Sequence, residues 1–180
     1  MLRQDYGIDI GTDIILSRAK TTQEMVLSVF TPDFGLIGIS APDIPRRGSY
    51  NESHLITRGF DQNMMFSLSR SVNLLPELPK GVAGETLLYT LPGTWAETDL
   101  DLLFEQKRAN PDDQDLKGPF GAAAAVTAAT DVQMADTERT LDTRIVAVGD
   151  QDFISNDGIR VVGHWNFLLN SLAWLTENED

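Results

Sequence analysis

"RIVAVGDQDF", residues 144 to 153, is the stretch whose reading decides the fold. Ile145, Val146, Ala147 and Val148 form an unbroken apolar run that ends at Gly149, with Asp150 and Asp152 just beyond it. A continuous run of this kind is expected where a strand is covered on both faces, as in a parallel sheet. Downstream, Trp165, Leu168, Leu169, Leu172 and Leu175 recur at helical spacing, which predicts an amphipathic closing helix packed through that stripe. Strand, turn and helix together predict an α/β domain spanning residues 1–180 as a single unit.

Working upstream, "GAAAAV" (121–126) sets helix propensity against its surroundings. A preceding proline and a short span between turns favour a buried strand. "DIILSR" (13–18), "MVLSVF" (25–30), "MMFSLSRSVNL" (64–74) and "ETLLYTL" (85–91) also read as strands, whereas "FGLIGIS" (34–40) is ambiguous. "APDIPRRGSYNES" (41–53) and "ANPDDQDLKGP" (109–119) carry the residues of loops. "TWAE" (94–97) has the capping-box pattern, so a short helix is expected from Thr94 to about Lys107.

The totals exclude whole classes of function. With 14 Lys and Arg against 27 Asp and Glu, the formal net charge is −13. That charge disfavours nucleic acid and anionic lipid headgroups, both of which need a basic surface. The chain has no cysteine, so disulfides, thiolate metal sites and cysteine nucleophiles are ruled out. Its longest run of small apolar residues, 121–129, is far below the roughly 20 residues that cross a bilayer. The opening "MLRQDYGIDIG" lacks a basic segment followed by an apolar one, so no signal peptide is expected there.

The turn after the strand is where a ligand site would sit. In open α/β sheets, ligands bind outside the carboxyl ends of strands, near helix N-termini. Asp150 and Asp152 offer the hard oxygens that a divalent cation takes, but they suit plain capping equally well. Gly149, Ser155 and Asn156 complete the same turn. Trp95 follows Pro92-Gly93 and is expected to be half exposed; an indole beside carboxylates and amides is a common sugar platform. These six residues make the candidate ligand set.

Other chemistry lacks its motif. G-x-S-x-G is absent, and the two histidines, His54 and His164, are not in H-E-x-x-H spacing. Neither G-x-G-x-x-G nor a P-loop occurs, so no cofactor and no metal is expected. A carboxylate hydrolase would need two carboxyl groups about 5 to 9.5 Å apart across one bond, and only Asp150 and Asp152 are candidates.

Several segments in order resemble one family. "YGIDIGTDIIL", "SHLITRGF", "LLYTLPGTWAE", "KGPFGAAAAV" and "RIVAVGDQDFISN" followed by "NFLLNSLAWLTENE" are similar to gliding-motility-type auxiliary proteins of ABC transporters, the GldG-like family. The chain departs from that pattern at Leu55, where the family usually has proline, and at Gly121, where it has a second proline. The resemblance implies a flavodoxin-like or class I glutamine-amidotransferase-like sheet with flanking helices. It implies the C-terminal part of a larger extracytoplasmic domain, on the periplasmic side, in a membrane-anchored parent protein. The amidotransferase cysteine is missing, so a non-enzymatic accessory domain is expected, with permease and ATPase subunits as partners. The alternative is a glycan-binding module that uses the turn at 149–156. An incomplete sheet would leave an edge open, which makes a homodimer an expectation as well.

Overall fold

A computed structural model describes residues 1–18, 26–33, 48–133, 140–161 and 163–177. In chain order its elements are α1 (Leu2–Tyr6), β1 (Ile8–Ile10), β2 (Ile14–Leu16), β3 (Leu27–Phe30), β4 (Met64–Ser67), β5 (Val72–Leu74), β6 (Val82–Tyr89) and β7 (Trp95–Glu97). There follow α2 (Leu100–Phe104), β8 (Leu116–Lys117), β9 (Gly121–Gln133), β10 (Thr140–Val148), two 3-10 turns (Asp152–Ile154 and Gly158–Arg160) and α3 (His164–Leu175). "FGLIGIS" and most of the 41–53 loop lie outside the described residues.

Every strand pairing among these residues is antiparallel. The four sheets run β10-β9-β6, β2-β7-β8, β1-β5 and β3-β4. This overturns the expected α/β class: the fold is mainly small antiparallel sheets with few helices, not flavodoxin-like or amidotransferase-like layering. The physical reason lies in β10. Its partner is β9, the preceding strand, in a hairpin register that places Ile145 opposite Val126 and Val148 opposite Ala123. Ile145 packs into one core cluster and Val146 and Val148 into another, so both faces are covered. The apolar run therefore reports two-sided cover, which an antiparallel sheet layered on both sides also supplies.

The alanines of β9 follow from the same layering. Ala123 and Ala125 join a cluster with Phe30, Phe66, Leu87 and Phe167, while Ala124 and Val126 face Ile8, Val72 and Ala147. A central strand squeezed between two layers has room only for small side chains, and close packing overrides alanine's helix propensity. Ile14, Leu16, Trp95 and Leu103 build a third, separate cluster.

Three local expectations fail for identifiable reasons. The 64–74 segment is two strands, because Leu68 takes a left-handed conformation (φ 53°) and breaks the run. "TWAE" does not cap a helix: Trp95 pairs with Leu16 and with Lys117 in β7. The helix begins later, with Asp99 as its cap accepting the Leu102 N–H at 2.8 Å, and it ends at Phe104 rather than near Lys107. The closing helix forms as expected but faces the other way. Its inward residues are His164, Phe167, Ser171 and Trp174, a second stripe at helical spacing whose aromatic rings are the larger. Phe167 packs edge-on against Phe60 and Phe153, and Trp174 lies against His54 and beneath the Arg144 guanidinium.

Candidate functional site

At the end of β10 the turn is organised by one carboxylate. Asp150 is buried, and its Oδ1 accepts the backbone N–H groups of Asp152 (2.6 Å) and Phe153 (2.9 Å). Its Oδ2 accepts the Ser67 N–H at 2.8 Å, which ties the turn to the end of β4. Gly149 is held between Ala122 and Arg70 by backbone hydrogen bonds of 3.0 and 2.8 Å. A Cβ there would stand 2.0 Å from the Arg70 carbonyl oxygen, so the close approach requires glycine.

The six candidate residues are not all brought together. Gly149, Asp150 and Asp152 border one open cavity of about 430 Å³, shared with Ile10, Ile14, Leu68, Arg70 and Val148. Ser155 and Asn156 do not line it; Ser155 Oγ accepts the Gly158 N–H at 3.0 Å and Asn156 is exposed. Trp95 is buried rather than half exposed, in the third core cluster, where its indole N–H donates to Glu97 at 3.3 Å. A glycan site on this turn therefore has no Trp95 platform. Sequence spacing does not reveal the apolar wall and Arg70, because Ile10, Ile14, Leu68 and Val148 come from β1, β2, the turn after β4 and β10, which only the fold brings together.

Both described histidines are packed inside. His164 Nε2 accepts the Met65 N–H at 3.3 Å, so its proton sits on Nδ1 and is donated to the Gly158 carbonyl at 2.7 Å. His54 Nδ1 accepts the Ile56 N–H at 3.2 Å. A second depression, about 490 Å³, is rimmed by Asp99, Asp101 and Asp112. Asp99 is spent on the α2 cap, and Asp112 accepts the Gln114 N–H at 2.7 Å. Among the described residues no group of three His, Asp or Glu is arranged to hold a metal.

The second candidate surface is the outward face of α3. Trp165 is 53% exposed, Leu169 43%, Leu172 47% and Leu175 37%. The helix sequence HWNFLLNSLAWL has no charged residue, in a chain whose net charge is −13. Its polar side chains serve the fold: Asn166 donates to Gln62 Oε1 at 2.8 Å and Asn170 to the Ile56 carbonyl at 2.9 Å. With these two tethers along one edge, the helix turns an apolar stripe to solvent. Among the described residues no helix is long and apolar enough to cross a membrane.

Compared with known proteins, the chain matches no protein-family model, no curated protein and no solved structure.

Proposed function

We propose that this chain is a non-enzymatic interaction domain that docks on a partner protein through the outward face of α3. The observation that carries this reading is the charge-free stripe of Trp165, Leu169, Leu172 and Leu175 left at the surface. Contiguous exposed apolar groups mark interaction sites on soluble folds, and a tryptophan among leucines is a frequent energetic anchor. Covering each half-exposed leucine would contribute roughly 1 kcal/mol, so the stripe favours a modest interface completed by its surroundings.

The sequence resemblance supplies the setting of the proposal. The domain acts as an accessory component of an ABC-type transport system, on the extracytoplasmic side, docking on the permease and reaching the ATPase subunits only through it. The test is co-expression with the cognate permease and ATPase subunits, followed by purification through a tag on this chain. The wild type is expected to retain the permease, and a Leu169→Glu/Leu172→Glu variant to lose it while remaining folded. Equal recovery with both chains would overturn the docking face.

A further inference from the structure

We propose that the cavity beside the strand-end turn binds a small zwitterion with an aliphatic side chain, of the amino-acid type, independently of the α3 face. Three observations converge there. The first is the wall: Ile10 and Leu68 are 41% and 45% exposed, and they stand with Ile14 and Val148 around a cavity of about 430 Å³. That volume falls within the range of small-molecule sites. The wall is branched aliphatic, which suits an aliphatic chain and offers no aromatic face to a sugar ring.

The second is a matched pair of charges. Arg70 gives one N–H to the Gly11 carbonyl at 3.2 Å, and among the described residues it forms no ion pair. Guanidinium has five donors in a planar fork, so the remaining ones can grip a carboxylate. Asp152 borders the same cavity, and among the described residues its carboxylate accepts no hydrogen bond, whereas both oxygens of Asp150 are spent. One cation, one carboxylate with unused oxygens beside the backbone-bonded Asp150, and an aliphatic wall match a ligand that carries both an ammonium and a carboxylate. A simple fatty acid would leave Asp152 facing an anion, and a simple amine would leave Arg70 unused.

The third is strain at the wall itself. Leu68 holds φ 53°, a conformation that leucine rarely adopts, and it is fixed there by its N–H bond to the Val26 carbonyl at 3.0 Å. Strained residues of this kind persist where surrounding structure imposes them and cluster at ligand sites. Here the strain turns a large apolar side chain outward over the cavity rather than into the core.

Isothermal titration of the whole chain with L-leucine, 4-methylpentanoate and 3-methylbutylamine tests the proposal. Leucine is expected to bind, and each singly charged analogue to bind about tenfold more weakly. Arg70→Gln and Asp152→Asn are each expected to lower leucine affinity about tenfold, because each removes one charge-assisted contact. Both side chains are exposed, so folding is expected to survive, and melting curves check this. Amide shift changes on adding leucine are expected at Ile10, Leu68 and Val148. No binding of leucine at millimolar concentration would overturn the proposal. So would affinities unchanged by both substitutions, or equal affinity for 4-methylpentanoate.

Discussion

The Asp150 carboxylate accepts the backbone N–H of Ser67 at 2.8 Å, joining two strand ends that lie 83 residues apart in sequence. The same carboxylate holds the first N–H groups of the following 3-10 turn. Asp150→Ala would strand three backbone donors beside a buried position. The expected loss is about 2 to 4 kcal/mol in urea unfolding, with Asp150→Asn intermediate because one amide oxygen remains. A change under about 0.5 kcal/mol for the alanine variant would show that the turn does not depend on this cap.

Much of this was legible in the sequence, and the failures share a cause. The strands at 121–126 and 144–148 and the helix at 165–175 follow from spacing and turn residues. Hydrophobic runs report cover, however, and cover does not distinguish parallel from antiparallel pairing; that depends on β9, which a run of alanines does not identify as the hairpin partner. In α3 the leucines were the obvious stripe, yet His164, Phe167 and Trp174 won the interior. Their rings meet Phe153, Phe60 and His54, which lie outside the helix and so are invisible to its periodicity. Asp150 was readable as a cap or a ligand; only the position of Ser67 shows where its second oxygen goes.

The two faces of α3 are expected to separate cleanly. Phe167 is fully buried, so Phe167→Ala should cost about 3 to 5 kcal/mol of stability. Leu172 is 47% exposed, and Leu172→Glu should change stability by no more than about 0.5 kcal/mol. Denaturant titration of both variants checks this, and a large loss for Leu172→Glu would mean that the outward stripe belongs to the fold.

Alkaline pH should weaken the fold through Tyr50. Its hydroxyl is buried against the Phe30 and Gln62 carbonyls, and burial pushes the phenol above its ordinary value of 10.0, offset only in part by a backbone hydrogen bond. Above that ordinary value the unfolded chain releases the proton while the folded chain keeps it, so rising pH favours unfolding. The expected slope attributable to this group is at most about 1.4 kcal/mol per pH unit. Tyr50→Phe should lack that slope while losing about 1 kcal/mol at neutral pH. Parallel pH–stability curves for the two chains would contradict the assignment.

Relief of backbone strain at Leu68 should stabilise the protein. Asparagine tolerates the left-handed region, and Leu68 is 45% exposed, so Leu68→Asn gives up little burial. A gain of about 1 kcal/mol is expected, or roughly 2 to 4 °C in Tm. The same change removes part of the aliphatic wall and should weaken leucine binding. A lower Tm would mean that the Leu68 side chain contributes more than its conformation costs.

The central claim is the docking face of α3, and site-specific photo-crosslinking tests it most directly. A photoreactive amino acid is placed at Leu172, on the exposed stripe, and separately at Lys80, an exposed position between β5 and β6, in cells carrying the transport subunits of the proposal. The account predicts a crosslink to the permease from position 172 and none from position 80. Absence of that crosslink from 172, or equal crosslinking from both positions, would contradict it.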